Sequence, residues 1–384
     1  MLKVGYDAQA FLSPNGGTGK GVQLRNLVGP FLDTFTGFAS NEPNSSGLPL
    51  IREGIAGHNL WQNFSLPGSL RRHRIEVFLA PYNVAPLLLP KRVQLVLVLH
   101  DTILMQGYRK ADKRGRWMDA YKRWLIPRSV ARAKIVLTVS EHARSEILRV
   151  FPRADVRVIP CSIAQRWFHS RRLDERSGYL LMVTSGAPHK NATGGLRGYA
   201  EYVRRAGVNA RPLKIVGLGA DARPYRDLAS QLDVSHLVSF LPYLSEEKLI
   251  ASYQDAGALL FPSFAEGFGI PLLEAMATGT PAIVARAASL PEVGAGAACY
   301  FDPFDTSSIA DALERVLSDQ ALRESMARRG LQRSLVYHPE TVAKQVRAFW
   351  EEVAGVHVPA RSSHESNLPS ATGAIAELEN VGTV

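Results

Sequence analysis

The sequence predicts an α/β protein with two doubly wound units, each built on a parallel sheet that is covered on both faces. Short, nearly continuous apolar runs, such as Ile75 to Ala80 and Val93 to Leu99, are typical of buried parallel strands. These runs alternate with segments of helical spacing. The pattern stops in a polar, Arg-rich stretch at residues 161–177 and then starts again, which indicates a second unit.

A chain of 384 residues is long enough for two units with separate cores. We predict a first domain over residues 1–165, a second over 178–337 and a last helix over 338–355. Residues 356–384 are rich in Ser, Ala, Gly, Pro and Asn without periodicity, and we expect them to be disordered. The uneven stretch 33–75 is either a plain surface excursion or a segment that carries specificity for a variable partner.

The composition, 46% hydrophobic and 21% charged, is that of a soluble globular protein. Two cysteines, Cys161 and Cys299, provide neither a disulfide framework nor a metal cluster, which suits a reducing cytoplasm. The first strand pattern begins at Leu2, so we expect no secretory signal. No apolar run reaches the roughly 18 residues that a membrane span needs. We therefore predict a cytoplasmic protein.

Positive charge is concentrated in the first half of the chain. Residues 1–170 hold 24 Lys and Arg against 11 Asp and Glu, whereas residues 171–384 hold 21 against 24. This imbalance favours an anionic partner for the first half, whether nucleic acid, phospholipid or a phosphorylated substrate. No known nucleic-acid-binding module stands out, so we predict no nucleic-acid partner.

The basic segment, residues 108–132, has nine Lys and Arg, and Trp117, Tyr121 and Trp124 lie at helical spacing within it. A basic helix with an aromatic face could lie on an anionic membrane surface, which would make the protein peripheral on the inner face of the plasma membrane. Alternatively, the aromatic stripe is the core-facing side of an ordinary amphipathic helix.

The stretch from Gly257 to Ala277 concentrates the features of a ligand site. An apolar run ending at Pro262 predicts a buried strand, and Glu266, Gly267 and Gly269 follow in a loop. Pro271 suits the first turn of a helix, with Glu274 one turn further on. Glycines let a backbone approach a ligand closely, and the free N–H groups of a helix start favour an anion. In the alternative interpretation the glycines only turn the chain and Glu274 only complements the helix dipole.

Three further loops follow predicted strands. Gly16 and Gly17 lie in a glycine-rich loop that fits neither a Walker A motif nor a dinucleotide fingerprint and could be a plain turn. His100-Asp101 ends a buried strand, where open α/β sheets place ligands, or is a hydrogen-bonded loop pair. Lys190 lies at a strand-to-helix turn, where it could bind phosphate oxygens or be an exposed loop lysine.

Together these residues resemble the retaining glycosyltransferases of family 4, which have the GT-B fold. The resemblance rests on Glu266 and Glu274, which are separated by seven residues, on Leu290-Pro-Glu-Val293, and on His189-Lys-Asn191. It covers residues 1 to 355 and is loose between residues 33 and 75. It implies two Rossmann-like domains facing across a cleft, with the last helix returning to the first domain.

The resemblance also implies residue roles. Glu274 would accept hydrogen bonds from the ribose hydroxyls of a nucleotide-sugar, and Glu266 would lie near the donor sugar and the developing charge. The N–H groups of Gly267, Phe268 and Gly269 would bind the sugar and phosphate, and Lys190 would neutralise the departing diphosphate. His100 would reach the reacting sugar from the other domain. Gly16 and Gly17 would close over the diphosphate and the acceptor.

We therefore predict a retaining, metal-independent hexosyltransferase with Glu266 and His100 as catalytic residues and without a cofactor. The sequence resembles mannosyltransferase-like members, so GDP-mannose is the first expected donor, with UDP-sugars as the alternative. The expected acceptor is a glycan or a polyprenyl-diphosphate-linked glycan of bacterial cell-surface polysaccharide or lipopolysaccharide synthesis. A different class remains open, namely a non-catalytic protein of this fold that only binds sugar nucleotides.

Two departures from the family pattern affect these expectations. The family usually has an Arg shortly before the Lys, but Ala187, Pro188 and His189 occupy that region here. Lys190 would therefore act with less help. The family's Asn-Gly pair after the Val-Ile-Pro strand is replaced by Cys161-Ser162, which changes the expected geometry of the interdomain turn.

Overall fold

The computed structural model describes residues 1–12, 19–40, 50–106, 113–168 and 178–356. Gly16, Gly17 and nearly all of the predicted tail, residues 357–384, lie outside the described residues. The described chain forms two α/β units that meet along a cleft.

The first unit contains a sheet of seven strands within the described residues, in the order β3-β2-β1-β4-β5-β6-β7. Every neighbouring pair is parallel. The strands are β1 Val4–Asp7, β2 Thr36–Ala39, β3 Leu50–Arg52, β4 Val77–Ala80, β5 Gln94–Val98, β6 Ile135–Thr138 and β7 Val156–Val158.

The second unit contains a six-stranded sheet within the described residues, in the order β10-β9-β8-β11-β12-β13, and it is again parallel throughout. Its strands are β8 Leu180–Val183, β9 Leu213–Val216, β10 Val238–Leu241, β11 Ala258–Phe261, β12 Ala282–Ala285 and β13 Ala298–Phe301. The predicted pair of parallel-sheet units is thus confirmed.

Helices cover both sheets. In the first unit they are α1 Gln9–Leu12, α2 Gly19–Val28, α3 His58–Leu60, α4 Leu66–Arg72, α5 Lys113–Arg132 and α6 Glu141–Val150. In the second they are α7 Ala192–Ala206, α8 Arg223–Gln231, α9 Glu246–Asp255, α10 Ile270–Ala277, α11 Leu290–Gly294, α12 Thr306–Ser318 and α13 Gln320–Ser334, followed by α14 Pro339–Ala354. Among the described helices, none is both long and apolar enough to cross a bilayer.

Helix α14 returns to the first unit, as the resemblance implied. Val346 and Trp350 are fully buried in the cluster that covers one face of the first sheet. The indole N–H of Trp350 donates to the carbonyl of Leu27 in α2 at 2.9 Å. The N–H of Leu2 in turn donates to the carbonyl of Ala354. Helix α14 therefore completes the core of the first unit.

Helix α5 exposes the two tryptophans of its aromatic stripe to solvent. Trp117 is 68% exposed and Trp124 is 47% exposed, whereas Leu125 and Ile126 are buried. The rings of Trp117 and Tyr121 stack with their centroids 6.0 Å apart. The stripe as a whole is therefore not an ordinary core-facing surface, since its two tryptophans face solvent while Tyr121 packs, partly buried, against the core beside Leu125 and Ile126.

Candidate active site

The ends of two strands bring the predicted site residues of the second unit together. In this sheet the strand order reverses between β8 and β11, and open α/β sheets bind ligands beyond the carboxyl ends of the strands at such a point. The loop after β8 carries Lys190, and the loop after β11 carries Glu266.

Lys190 and Glu266 form an ion pair. The ammonium Nζ lies 2.7 Å from Oε1 and 2.9 Å from Oε2 of the carboxylate. Glu266 is only 9% exposed, and a carboxylate removed from water to this extent needs such a partner. The structure thus brings together two residues that the sequence places 76 positions apart.

Asn191 fixes the turn that presents Lys190. Its backbone is left-handed, with φ of 51°, a conformation that Asn tolerates better than most residues. Its side-chain oxygen accepts from the N–H of Gly194 and caps α7. Its amide nitrogen donates to the carbonyls of Pro262 and Pro303, at 3.1 and 3.0 Å. The Lys190 turn is therefore tied to the end of β11, from which the Glu266 loop starts.

The loop Gly267-Phe268-Gly269 leads into α10. Phe268 is buried and packs edge-on against Tyr337, so its side chain belongs to the core and only its backbone can face a ligand. Gly269 has φ of 101°, which disfavours other residues, and an added Cβ would meet Leu290 at 2.6 Å. Ser289 is buried, and its hydroxyl lies within hydrogen-bond distance of the carbonyls of Glu266 and Phe268.

Glu274 lies inside the second unit on α10, one turn after Pro271. The phenol of Tyr253 donates to its Oε2 at 2.8 Å. Burial raises the pKa of the Glu274 carboxyl to about 7, although the Tyr253 hydrogen bond acts in the opposite direction. Tyr253 comes from α9 and was not predicted as a site residue. No motif connects a tyrosine of α9 with a carboxylate of α10, so only the packing of the two helices reveals the pair.

His100 follows β5 of the first unit and contacts the same glycine loop. A Cβ added at Gly267 would lie 2.5 Å from the His100 carbonyl oxygen, so only glycine fits between the two units here. The ring Nε2 pairs with the carbonyl of Pro81 at 3.1 Å. Burial and the charge of Lys20 lower the pKa of His100 to about 4, although the Pro81 contact acts in the opposite direction. The imidazole is therefore neutral at physiological pH, donating at Nε2 and accepting at Nδ1.

A cavity of about 290 Å³ opens between the units beside these residues. Its lining comes from both sides of the cleft and includes Asp101, His142, Arg149, Phe264 and Glu266. Burial raises the pKa of Asp101, while the charges of Lys20 and His189 lower it. The cavity thus has polar walls and reaches the carboxylate of the Lys190–Glu266 pair.

Two further polar clusters escaped the sequence analysis. Asp7 ends β1 completely buried and pairs with His58 at 2.7 Å. Ser140 and Glu292 join the two units, with Ser140 bonded to the Gly267 carbonyl. Glu292 belongs to the Leu290-Pro-Glu-Val293 motif, but the sequence predicted no role for it. Within the described residues, no group of three His, Cys, Asp or Glu could hold a metal ion.

Two family models match the chain in succession. The model described as Glycosyltransferase Family 4 matches residues 29–165, and the model described as Glycosyl transferases group 1 matches residues 164–333. Between them they span residues of both sheets and the Glu266–Glu274 motif. The chain belongs to the group 1 glycosyltransferases.

This glycosyltransferase is similar to curated mannosyltransferases. O-antigen chain mannosyltransferase B of Escherichia coli is 29% identical over 273 residues, which are 67% of this chain and 70% of that protein. O-antigen chain mannosyltransferase RfbU of Salmonella typhimurium is 32% identical over 198 residues, 51% of this chain and 54% of that protein. The matched region thus spans little more than half the length of the second relative.

Solved structures establish the fold. The structure of Anabaena HepE in complex with UDP and glucose matches with a TM-score of 0.72 at 15% identity, over 93% of this chain and 100% of that chain. The glycosyltransferase therefore has the GT-B fold, with the predicted layout of two units and a returning helix.

Proposed function

We propose that this glycosyltransferase transfers a hexose, with mannose from GDP-mannose as the first choice, to a glycan or polyprenyl-diphosphate-linked acceptor in bacterial cell-surface polysaccharide synthesis. The observation that carries the proposal is the pairing of Lys190 with Glu266 at the switch point of the second sheet, next to Gly267, which contacts the His100 backbone of the first unit. A cationic group for the leaving diphosphate and a carboxylate for the reacting sugar then lie side by side.

The proposed donor binds mainly to the second unit. Glu274 accepts hydrogen bonds from two ribose hydroxyls, which suits a carboxylate with two oxygens. The N–H groups of Gly267 to Gly269 and the start of α10 bind the sugar and phosphate oxygens. Lys190 has three donor hydrogens, so it can keep Glu266 while it adds a phosphate oxygen.

The proposed reaction retains the configuration of the anomeric carbon. The acceptor hydroxyl oxygen bonds to this carbon on the face from which the diphosphate departs. The bond from carbon to diphosphate oxygen breaks, and the departing diphosphate takes the hydroxyl proton. The transition state resembles an oxocarbenium ion, which Glu266 stabilises through its charge and its contacts with the sugar hydroxyls. No covalent enzyme intermediate is part of this proposal.

We assign the stabilisation of the leaving group to Lys190 and the N–H groups at helix starts, without a resident metal or other cofactor. Preorganised positive charge in a partly water-excluded cleft is effective at a developing phosphate anion. His100 is neutral, so its imidazole contributes a hydrogen bond to the sugar rather than a charge. The cavity between the units, which reaches Glu266, is the proposed place for the acceptor hydroxyl.

The names of the relatives favour mannose, since both the E. coli and the Salmonella proteins are named O-antigen chain mannosyltransferases. The HepE complex contains UDP and glucose, which keeps a UDP-sugar as the alternative donor. A non-catalytic protein that only binds sugar nucleotides is the other candidate. The juxtaposition of Glu266, Lys190 and His100 favours catalysis, because nucleotide binding alone does not require a carboxylate at the sugar position.

A thermal-shift screen of GDP-mannose, GDP, UDP-glucose and UDP tests the donor class. A ligand that binds only the folded protein at 100 times its Kd stabilises it by about 2.7 kcal/mol, which raises the Tm measurably. We expect the largest shift with the GDP compounds, and a smaller one after Glu274→Gln. A larger rise in Tm with the UDP compounds would instead favour a UDP-sugar as the donor. No rise in Tm with any of the four compounds would contradict nucleotide-sugar binding.

We also propose that the protein is cytoplasmic and docks on the anionic inner face of the plasma membrane through an aromatic patch. The patch consists of exposed apolar side chains from three segments of the first unit: Leu60, Phe64, Leu87, Leu88, Trp117 and Trp124. Asn63 connects the segments, since it donates to the hydroxyl of Tyr121 and accepts from the N–H of Leu87. The guanidinium of Arg128 lies over the Trp124 ring, 4.0 Å from its centroid, so the patch combines apolar groups with positive charge, which is the chemistry of a membrane-surface contact.

A further inference from the structure

Helix α6 of the first unit begins with contacts to the second unit. Ser140 caps the helix, and its hydroxyl oxygen accepts from the N–H of Ala143 at 3.0 Å. The first two N–H groups of the helix, those of Glu141 and His142, donate to Oε1 and Oε2 of Glu292 at 2.8 and 2.9 Å. A carboxylate of one unit thus satisfies free donors at the helix start of the other, where the helix dipole also favours a negative charge.

The same helix start contacts the glycine loop of the proposed active site. The hydroxyl of Ser140 donates to the carbonyl of Gly267 at 2.7 Å, although the two residues lie 127 positions apart. Ser289 lies within hydrogen-bond distance of the carbonyls on either side, those of Glu266 and Phe268. Serine hydroxyls therefore lie at three successive carbonyls of the loop, and the one at the middle carbonyl comes from the first unit.

Glu292 is itself held on a rigid element. It lies in α11, whose residues Leu290 and Val293 are completely buried. The guanidinium of Arg333 in α13 donates to the carbonyls of Glu292 and Val293, at 2.8 and 2.9 Å. The carboxylate therefore keeps its place in the second unit, and its contact with α6 fixes the first unit relative to the second.

We propose that Glu292 and Ser140 are positioning residues that hold the two units closed and place the Glu266 carboxylate for sugar transfer. Glu292 supplies two charge-assisted hydrogen bonds that exist only when the units are together, and Ser140 connects this contact to the loop that carries Glu266. The catalytic consequence rests on the proposed function. The closure itself does not, since it follows from contacts between the units alone.

The first test measures the distance between the units without any substrate. Spin labels are attached at Arg153→Cys in the first unit and Val208→Cys in the second, which are both exposed positions. Cys299→Ser removes the partly exposed native thiol that would also be labelled. Pulsed electron paramagnetic resonance then measures the distance between the two labels. We expect Glu292→Ala to broaden the distribution and shift it to longer distances. Ser140→Gly should change the distance distribution in the same direction but less. This variant should fold, because glycine is well tolerated as an N-cap.

Glu141→Gln is the matched control. It removes a charge from the same helix start, but the Glu141 carboxylate pairs with Arg144 within α6 and not with the second unit. The control should keep the parent distance distribution. If Glu292→Ala and Ser140→Gly also keep it, the proposed closure is wrong, whatever the activity of the variants.

The second test separates positioning from binding. We expect Glu292→Ala to lower kcat at least about tenfold, since losing even one of its two hydrogen bonds to α6 shifts a closing equilibrium by roughly this factor. The Kd for the nucleotide, whose site lies in the second unit, should change less than about twofold. A weakened nucleotide affinity with an unchanged kcat would overturn the positioning role. Absence of transfer by the parent protein would instead count against the proposed function and leave the distance result standing.

Discussion

Burial of the Glu274 carboxyl group makes its ionisation less favourable than it is in water. Its usual pKa of 4.5 is raised to about 7, chiefly because burial disfavours the charged form. Ribose hydroxyls donating to the carboxylate would favour the ionised form again. Nucleotide binding at this position should therefore release a proton wherever the free protein still holds one.

The Kd for the nucleotide should therefore depend on pH through this one residue. We expect affinity to be constant above about pH 7 and to fall below it, by at most tenfold for each pH unit, because ionising the carboxyl then costs binding energy. Titration calorimetry at several pH values measures this directly. Glu274→Gln should bind more weakly and lose the dependence. An equally steep decline in that variant would assign the titration to another group.

The same pKa shift has a defined effect on stability. Between about pH 4.5 and 7 the folded carboxyl stays protonated while the unfolded one ionises, so the folded state binds more protons. The stabilisation is fully present below pH 4.5 and is lost as the pH rises through 7. Glu274 therefore favours ligand binding at neutral pH at some expense of stability.

The individual site residues were predictable from sequence to different degrees. Glu266 and Lys190 follow apolar strand patterns in short glycine-containing loops, and Glu274 lies in the helix after such a loop, so their location near strand ends could be predicted. Their partners could not, because the Tyr253–Glu274 and Lys190–Glu266 contacts join distant segments. The role expected for Lys190, contact with a diphosphate, stays a prediction.

At the scale of elements, α5 shows why helical spacing alone cannot decide which face is buried. Trp117, Tyr121 and Trp124 form one stripe that Leu125 widens, yet the structure exposes both tryptophans and buries Leu125 together with Ile126 and Val130 on the adjoining side of the helix. The spacing predicts the stripe but not where its boundary with the core lies. The choice depends on neighbouring elements, including α3 and the following turn, whose exposed Leu60 and Phe64 extend the aromatic patch.

The aromatic patch makes a prediction at this scale. Trp117→Ala together with Trp124→Ala should weaken binding to vesicles containing anionic phospholipid by at least about tenfold, since each buried aromatic ring contributes about 1.5–3 kcal/mol. Neutralising Lys113, Arg114 and Arg116 should weaken it further and reduce its dependence on salt. Vesicle co-sedimentation at several ionic strengths measures both effects.

Tyr243→Ala is the matched control for this experiment, because Tyr243 is an exposed aromatic residue (64%) of the second unit. It should leave vesicle binding at the parent level. If the tryptophan variant also binds as the parent does, the patch does not contact membrane. Equally strong binding to neutral and to anionic vesicles would contradict the electrostatic part of the proposal.

At the scale of the whole molecule, the two parallel sheets could be predicted because strands covered on both faces consist of short, nearly continuous apolar runs, which a single sequence shows. The sequence did not predict the elements of residues 33–75, where the structure has strand β2, the edge strand β3 and helices α3 and α4. The strand sequences, Thr-Gly-Phe-Ala and Leu-Ile-Arg, lack the continuous apolar run that marks strands such as β4. The contacts between the units, such as that of Ser140 with Gly267, could not be predicted either, because periodicity within one segment does not show which surface of the other unit it meets.

The GT-B arrangement gives each unit a part of the proposed chemistry. The second unit provides Glu274, Lys190 and Glu266, while the first provides His100 and the cap of α6 that contacts the Gly267 carbonyl. The exposed aromatic patch lies on the first unit as well. A lipid-linked acceptor would therefore approach from the membrane side, and the nucleotide-sugar from the opposite unit.

The most direct test of this account is sugar transfer by the purified protein from radiolabelled GDP-mannose to a polyprenyl-diphosphate-linked glycan, with Glu266→Gln and Glu247→Gln compared. Glu247 is an exposed carboxylate in the first turn of α9, whereas Glu266 is buried in the ion pair with Lys190, so the Glu247 variant should transfer as the parent does. We predict transfer by the parent and a loss of at least about 100-fold in kcat for Glu266→Gln, with the melting temperature and the nucleotide Kd nearly retained. Transfer by Glu266→Gln at the parent rate would contradict the assignment of this residue and, with it, the proposed mechanism.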